Sequence, residues 1–322
     1  MPAFAAHILI AKDILPALNI SDSEDNQKYF LLGSLGPDLP YYKNVFGSAI
    51  GTYFEEKYNP QSPGYYTGHA DYFHSLTPNL FPMKMLEVIK KDKDSSTELK
   101  KLSFTMGYLT HVAADHHIHP VVEYYAGPFY SSGISRNRHR TLEVYQDLFL
   151  YNEKYPKKAF FQEDFRSWVE IGPPAKKSEK KLMGTEVVDE AEPLKIYTPD
   201  WFRSFIQRSF LETYAVIMDS NDIEKWVAGF HSIFQHIQDI GPYRKADEEI
   251  KRKSREADTY QQLFKAEHKY MKNCFEPAKS LSQRYINAAQ KFYETKKISA
   301  KERKEFLSKV SDADLTSPLV DL

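Results

Sequence analysis

The spacing of apolar residues predicts helices along most of the chain. Between residues 3 and 18, the apolar residues Phe4, Ile8, Ala11 and Leu15 recur every three or four positions and share one side of a helix. Similar spacing predicts further helices over residues 80–91, 97–119, 138–153, 199–240, 259–295 and 299–311. The alternation of apolar and polar residues that is typical of strands is scarce. The pattern therefore predicts an all-α fold, a multi-helix bundle with long loops.

Glycine and proline mark the breaks between these helices. The run Gly36-Pro37-Asp38-Leu39-Pro40 predicts a loop, as do the irregular residues 47–69 and 120–137. Pro173-Pro174 opens a polar, lysine-rich segment that reads as a surface loop. We expect a helical domain over residues 1–171 and a polar loop or linker over 172–198. A C-terminal helical region over 199–322 is expected to pack on the first domain.

The amino-acid composition excludes several classes of function and of metal site. With 322 residues, 42% of them hydrophobic, the chain can bury a large core. A net charge of −1 gives no general attraction for nucleic acid or an anionic membrane. The single cysteine, Cys274, excludes an intramolecular disulfide framework and a thiolate-rich zinc site. Any metal must therefore be bound by nitrogen and oxygen.

Targeting signals are not evident in the sequence. The N-terminal segment lacks a basic region, and its apolar run is interrupted by His7 and Lys12. The sequence contains no run of about 18 apolar residues, so it predicts no transmembrane helix. We therefore expect a cytoplasmic enzyme.

Residues 107–120 concentrate the candidate chemistry. The stretch holds four of the eleven histidines, and His111, Asp115 and His119 are spaced four apart. On a helix, that spacing places the three side chains on one stripe. Imidazole nitrogens and a carboxylate oxygen on one face form a ligand set suited to zinc.

The neighbours of this stripe refine the expectation. Gly107 lies one turn before His111 and leaves room beside the stripe. Pro120 disfavours helical geometry in the preceding residue, so we expect the helix to end at His119, which would point at a different ion from His111. The two remaining histidines of the stretch face away and are expected to be structural: His116 and His117.

Four other segments supply candidate ligands. His7 lies on the first predicted helix, Asp38 in the glycine–proline loop, and His74 shortly before the second predicted helix. His139 and Glu143 are four apart on the helix predicted from residue 138. Each of them alone has an ordinary structural explanation, such as a core histidine or a turn aspartate. The ordered set is what indicates a metal site. Asp147 lies one turn after Glu143, and we expect it to hold a metal ligand in place or to cap a helix rather than to bind a metal ion itself.

The order and spacing of these residues resemble the zinc-dependent phospholipase C family, which is related in fold to zinc-dependent single-strand nucleases. The resemblance covers residues 1 to about 150, and the C-terminal half carries no recognised motif. It implies up to three zinc ions at the bottom of a cleft in a helical bundle. His69 and His74 compete for one position, and we favour His74 because an apolar helix begins soon after it, as in the family.

The resemblance also implies how the ligands are shared. Asp38, His74 and His111 would hold one ion, and Asp115 would bridge it to a second. A bridging carboxylate offsets repulsion between cations about 3.5–4 Å apart. The second ion would also be bound by His7 and by the N-terminal residue. The third, more exchangeable ion would be held by three residues: His119, His139 and Glu143.

The N-terminal ligand is where this chain departs from the family. Secreted members begin, after processing, with a tryptophan that chelates zinc, whereas this chain begins Met1-Pro2. Removal of the methionine would leave Pro2 as the N-terminus five residues before His7, a spacing like that of the nuclease branch. We therefore expect Pro2 to supply the terminal ligand.

The family implies a metal-dependent hydrolase of phosphodiester bonds, with a phospholipid as the expected substrate. Zinc would lower the pKa of bound water to about 7, and Asp38 would orient or deprotonate the attacking water. A phospholipid substrate would involve transient contact with a membrane surface. Two alternatives stay open: a nuclease or nucleotidase with the same metals, which the low net charge disfavours, and a metal-binding protein with a structural or interaction role and little turnover.

Overall fold

The structure of the protein is a computed structural model. It describes residues 4–18, 23–43, 69–127, 133–159, 161, 165–172, 198–236, 241–265 and 274–315. Every regular element among them is helical, as the sequence predicts.

The described residues form thirteen α-helices and two short 3₁₀ segments. In chain order the helices are α1 (Phe4–Ile14), α2 (Glu24–Gly33), α3 (His69–Ser75), α4 (Leu80–Lys91), α5 (Glu98–Ala126), α6 (Gly133–Lys154), α7 (Phe165–Val169), α8 (Asp200–Tyr214), α9 (Ser220–His236), α10 (Gly241–Lys251), α11 (Arg255–Lys265), α12 (Phe275–Glu294) and α13 (Ala300–Leu307). The 3₁₀ segments are Leu15–Ala17 and Gly36–Tyr42.

Helix α5 is the centre of the fold. Its most extensive contacts are with α2 and α12, and it also packs against α1, α4 and α6. Of its residues, nearly all from Lys101 to Glu123 are buried, so this helix is covered on almost every side. One apolar core joins the N-terminal helices to the C-terminal ones, running from Phe4 to Leu315. The C-terminal helices therefore pack on the N-terminal ones, while the predicted domain boundaries at 171 and 199 stay a prediction.

The crossing of α2 and α5 depends on two glycines. A Cβ on Gly107 would lie 1.9 Å from the carbonyl oxygen of Phe30, and one on Gly33 would lie 2.2 Å from that of Phe104. The two backbones therefore touch. The room that Gly107 was expected to leave beside the stripe is occupied by the backbone of α2.

Pro120 does not end the central helix, contrary to the sequence-based expectation. Helix α5 continues through it to Ala126 and stops at Gly127, whose φ is 81°. A proline inside a helix costs about 3 kcal/mol. The turn that follows buries Val121 and Val122, and each buried valine contributes about 1.5–3 kcal/mol. Tertiary packing therefore outweighs the local penalty.

The predicted loop at residues 36–40 is instead helical. Gly36–Tyr42 forms a 3₁₀ segment, in which the Asp38 and Leu39 N–H groups both donate to the carbonyl oxygen of Leu35. The φ of proline, about −65°, suits this conformation, and Pro37 lies in the first turn, where no N–H is needed. The segment holds Asp38 in the interior, with none of the residue exposed.

The other helix predictions differ mainly at their boundaries. Residues 80–91 form α4 as predicted, whereas α6 begins at residue 133 rather than 138. The predicted helix over 199–240 is two helices, interrupted near Ala215, which has a φ of 56°. The irregular segment predicted at 47–69 and the polar one at 172–195 lie almost entirely outside the described residues. None of the described helices is long and apolar enough to cross a membrane.

We expect Gly107→Ala to destabilise the fold by about 3 kcal/mol or more, because the new methyl group must push two helix backbones apart. Without that clash, alanine would stabilise a helix relative to glycine by about 1 kcal/mol. Urea unfolding measures the difference. Leu99→Ala, at a residue 53% exposed on the same helix, is the control and should change stability by less than about 1 kcal/mol. Equal effects of the two substitutions would contradict the crossing.

Candidate metal centre

Five elements bring eight of the predicted ligands together. His7 comes from α1, Asp38 from the second 3₁₀ segment, and His74 from α3. Helix α5 contributes its whole stripe, and α6 contributes the last pair. Potential ligand atoms lie within 4.8 Å of one another in each of three groups: His7, His111 and Asp115; Asp38, His74 and His111; His119, His139 and Glu143.

Asp115 is the central carboxylate of this cluster. Its Oδ1 lies 3.2 Å from Nε2 of His7 and 3.6 Å from Nε2 of His119. Its Oδ2 lies 3.0 Å from Nε2 of His111 and 3.8 Å from Nε2 of His74. One carboxylate thus faces histidines of three helices, and its two oxygens face different pairs.

Two smaller groups flank Asp115. On one side, Oδ1 of Asp38 lies 3.1 Å from Nε2 of His74. On the other side, Oε1 of Glu143 lies 3.0 Å from Nε2 of His139 and 3.7 Å from Nε2 of His119. The stripe of α5 therefore links both groups, since His111 belongs to one side and His119 to the other.

Backbone carbonyl groups orient three of the histidines. The Nδ1 atom of His74 lies 2.8 Å from the Ala70 carbonyl oxygen, and that of His111 lies 2.9 Å from the Ser34 carbonyl oxygen. The ring of His119 makes the same kind of contact through Nδ1 with the Leu315 carbonyl oxygen. A carbonyl can only accept a hydrogen bond, so each Nδ1 carries a proton, and the lone pair of Nε2 is available to an ion when the ring is neutral.

The donor atoms of the cluster fit a metal ion. Both oxygens of Asp38, both of Asp115 and Nε2 of His111 are buried, and they make no hydrogen bond of good geometry among the described residues. Such buried polar atoms are costly unless water or an ion satisfies them. Imidazole nitrogen and carboxylate oxygen are ligands that zinc accepts, and thiolate plays no part because the single cysteine lies elsewhere.

The carboxylates are held in their ionised form. Burial opposes ionisation of Asp115, but the charges of His111, His119 and His7 hold its pKa well below the usual value. Burial likewise opposes ionisation of Asp38, and His111 with His74 lowers its pKa.

The pKa values of two histidines of the cluster shift in opposite directions. Burial would lower the pKa of the His74 imidazole, but its close contact with Asp38 and the charges of Asp38 and Asp115 raise it to about 9. Burial also lowers the pKa of His139, and there the nearby Glu143 only partly opposes the effect. Opposite charge therefore outweighs burial at His74, whereas burial prevails at His139.

Asp147 lies beside the cluster and caps a helix, in line with the sequence analysis. Its carboxylate accepts the backbone N–H groups of Ala5 and Ala6, at 3.3 and 2.7 Å, and the hydroxyl of Tyr243 at 2.8 Å. Burial raises its pKa to about 8. The bonds tie the beginning of α1, and with it His7, to the helix that carries Glu143.

His69 and His116 lie outside the three groups. His69 is only half-buried and packs 5.3 Å from the rings of Phe210 and Trp226, so His74 is the histidine that reaches Asp38. The side chain of His116 faces Tyr285 of α12, with Nδ1 3.2 Å from the hydroxyl oxygen. Sequence reasoning missed the supporting carbonyl groups of Ser34 and Leu315, because a backbone group has no residue type to detect.

The family model for zinc-dependent phospholipase C matches residues 6–234 of the chain. The chain belongs to the zinc-dependent phospholipase C family. No curated protein and no solved structure matches it. The family match includes all eight residues of the cluster and extends well beyond residue 150, where the recognisable motifs end. Pro2, the predicted terminal ligand, lies outside the described residues.

We expect Asp115→Asn to release at least one zinc ion per chain and to abolish nearly all activity, since asparagine lacks the charge that two cations would share. The number of zinc ions per chain, measured by elemental mass spectrometry, tests this prediction. Asp247→Asn is the matched control, because Asp247 is also buried but pairs with Lys251 outside the cluster. The control should keep its zinc, and equal zinc contents in the two variants would contradict the assignment.

Stability should depend on pH differently with and without zinc. The pKa of His74 is about 9 in the folded protein, against 6.5 ordinarily, so its contribution is complete below pH 6.5 and is lost as the pH rises through 9. Zinc binds neutral imidazole, so the metal-bound protein should not lose stability over that range. Thermal unfolding with chelator and with zinc measures both trends. His74→Gln should flatten the metal-free trend, and parallel trends in the two wild-type samples would contradict the prediction.

Proposed function

We propose that the protein is a zinc-dependent phosphodiester hydrolase of the phospholipase C type. The observation that carries the proposal is the arrangement around Asp115, in which His7, His74, His111 and His119 converge on one buried carboxylate in a chain of this family. Membership of the family supports zinc and hydrolysis. The converging residues support a centre in which ions share ligands.

Each group of residues is assigned one ion. Asp38, His74 and His111 would hold the first, and Asp115 would be shared with the second, which His7 also binds. His119, His139 and Glu143 would hold the third. Pro2 is proposed as the terminal ligand of the second ion, and retention of Met1 on fully metallated protein would exclude it. Bound zinc would supply an activated water and would stabilise negative charge on the phosphate and the leaving group.

Asp38 is proposed as the catalytic base. Its lowered pKa keeps the carboxylate ionised at neutral pH, so Asp38 is able to accept a proton from an attacking water. The 3₁₀ segment fixes its position, and Oδ1 is held 3.1 Å from Nε2 of His74. A general base held in this way contributes about 10²–10⁴-fold to the rate.

The proposed substrate is a phospholipid. The family is named for phospholipase C activity, and the net charge of −1 gives no long-range attraction for nucleic acid. Cleavage would release a phosphorylated head group and leave diacylglycerol. This step depends on analogy with the family, so the substrate has to be tested directly.

The decisive experiment offers purified protein three substrates, with and without a chelator: phosphatidylcholine vesicles, single-stranded DNA and a simple phosphodiester. We expect chelator-sensitive hydrolysis of phosphatidylcholine, restored by zinc. Asp38→Asn should lower kcat at least about 100-fold, whereas Asp222→Asn, in an ion pair with Lys43, should not. Hydrolysis of DNA alone would refute the phospholipase assignment. Bound zinc without turnover of any substrate would indicate the structural alternative.

A further inference from the structure

Residues 308–315, here termed the strap, follow helix α13 and lie beyond the part of the chain that matches the family. The strap leaves the end of α13 and runs to the metal centre, where it reaches His74 and His119. It is therefore a contribution from outside the family match to a centre whose proposed ligands, apart from Pro2, all lie inside that match.

Several elements hold the strap in place. The amide of Asn79 donates to the Val310 carbonyl oxygen at 2.9 Å, and the N–H of Ser311 donates to the Tyr285 hydroxyl at 3.2 Å. That hydroxyl also lies 3.2 Å from Nδ1 of His116. Val310 is fully buried, so apolar packing reinforces these bonds. The strap is thus fixed by Asn79, which directly precedes α4, and by Tyr285 of α12, whose hydroxyl also contacts His116 of α5.

The strap ends on two of the proposed ligands. The N–H of Leu315 donates to the His74 carbonyl oxygen at 2.9 Å. The Leu315 carbonyl oxygen accepts from Nδ1 of His119. The leucine itself is 1% exposed, which anchors its backbone against the core. One residue of the strap therefore contacts α3 and α5 at the centre.

The contact with His119 has a chemical consequence. Neutral imidazole carries one proton, and a carbonyl acceptor keeps that proton on Nδ1. The lone pair of Nε2 then faces Asp115 and Glu143, at 3.6 and 3.7 Å. Ala70 and Ser34 give the same support to His74 and His111 from within the family match. For His119, the support comes from the strap.

We propose that the strap is a positioning element of the third zinc site, in which the Leu315 carbonyl group fixes the tautomer and orientation of His119. The inference rests on the metal centre proposed above. Loss of such a support for a metal-binding histidine typically lowers metal affinity about 10–100-fold. The strap would therefore control how firmly one of the three ions is held.

Two substitutions in the full chain loosen the strap by different routes. Leu315→Ser removes the apolar anchor of the residue that contacts His119. Asn79→Leu removes the hydrogen bond to the Val310 carbonyl oxygen. It removes no hydrogen bond from the beginning of α4, because the Asn79 side chain makes no capping bond there. Leu86→Ser is the control, an equally buried leucine on α4, which carries no proposed ligand. Two independent variants guard against the failure of one to fold.

The first measurement is the tautomer of His119 by nitrogen NMR of the metal-free protein, at a pH where the ring is neutral. We expect Nδ1–H in the wild type and in Leu86→Ser. In both strap variants we expect a shift towards Nε2–H, since the carboxylates of Asp115 and Glu143 lie near Nε2 and accept hydrogen bonds. An unchanged Nδ1–H tautomer in correctly folded strap variants would overturn the proposal.

The second measurement is the release of zinc into a coloured chelator. One ion per chain should leave both strap variants about 10–100-fold faster than it leaves the wild type or Leu86→Ser, with the other ions unaffected. Equal release rates would overturn the proposal even if the tautomer changes. A wild type that binds no zinc would refute the proposed centre, and the tautomer measurement would still decide whether the strap orients His119.

Discussion

The buried carboxylate of Asp115 is the constraint on which the rest of the structure depends. It is almost completely excluded from solvent, and nitrogen atoms of four histidines lie within 3.8 Å of it. An uncompensated buried charge costs several kcal/mol, so positive charge must lie nearby, whether on imidazole or on an ion. Helices α1, α3 and α5 must therefore converge at one point, because each supplies part of that compensation.

The fold meets this requirement by holding backbone groups where the histidines need them. The glycine contact between α2 and α5 brings the Ser34 carbonyl oxygen within 2.9 Å of Nδ1 of His111. The 3₁₀ segment that follows places Asp38 on the same side of the centre, beside His74 and His111. On the far side, the cap formed by Asp147 ties the first turn of α1 to α6. Apolar packing and polar geometry are thus satisfied by the same contacts.

The sequence-based expectations that were wrong share one cause. Pro120 and the run from Gly36 to Pro40 were interpreted from local preferences, which disfavour a helix at both places. In the folded chain, burial of Val121 and Val122 outweighs the cost of the proline, and the prolines near Asp38 suit a 3₁₀ conformation. Gly107 leaves room beside the stripe as expected, and the backbone of α2 occupies that room.

Sequence alone determined the helical class, the family and the residue types available for metal binding, because periodicity and ligand chemistry are written in residue identities. Its motifs end near residue 150, and they carry no information about backbone carbonyl groups. Tertiary structure decided which atoms face which: that Asp115 contacts both His7 and His111, that His74 rather than His69 reaches Asp38, and that Leu315 contacts His119. Such contacts join residues up to 196 positions apart, and only the packing of helices brings them together.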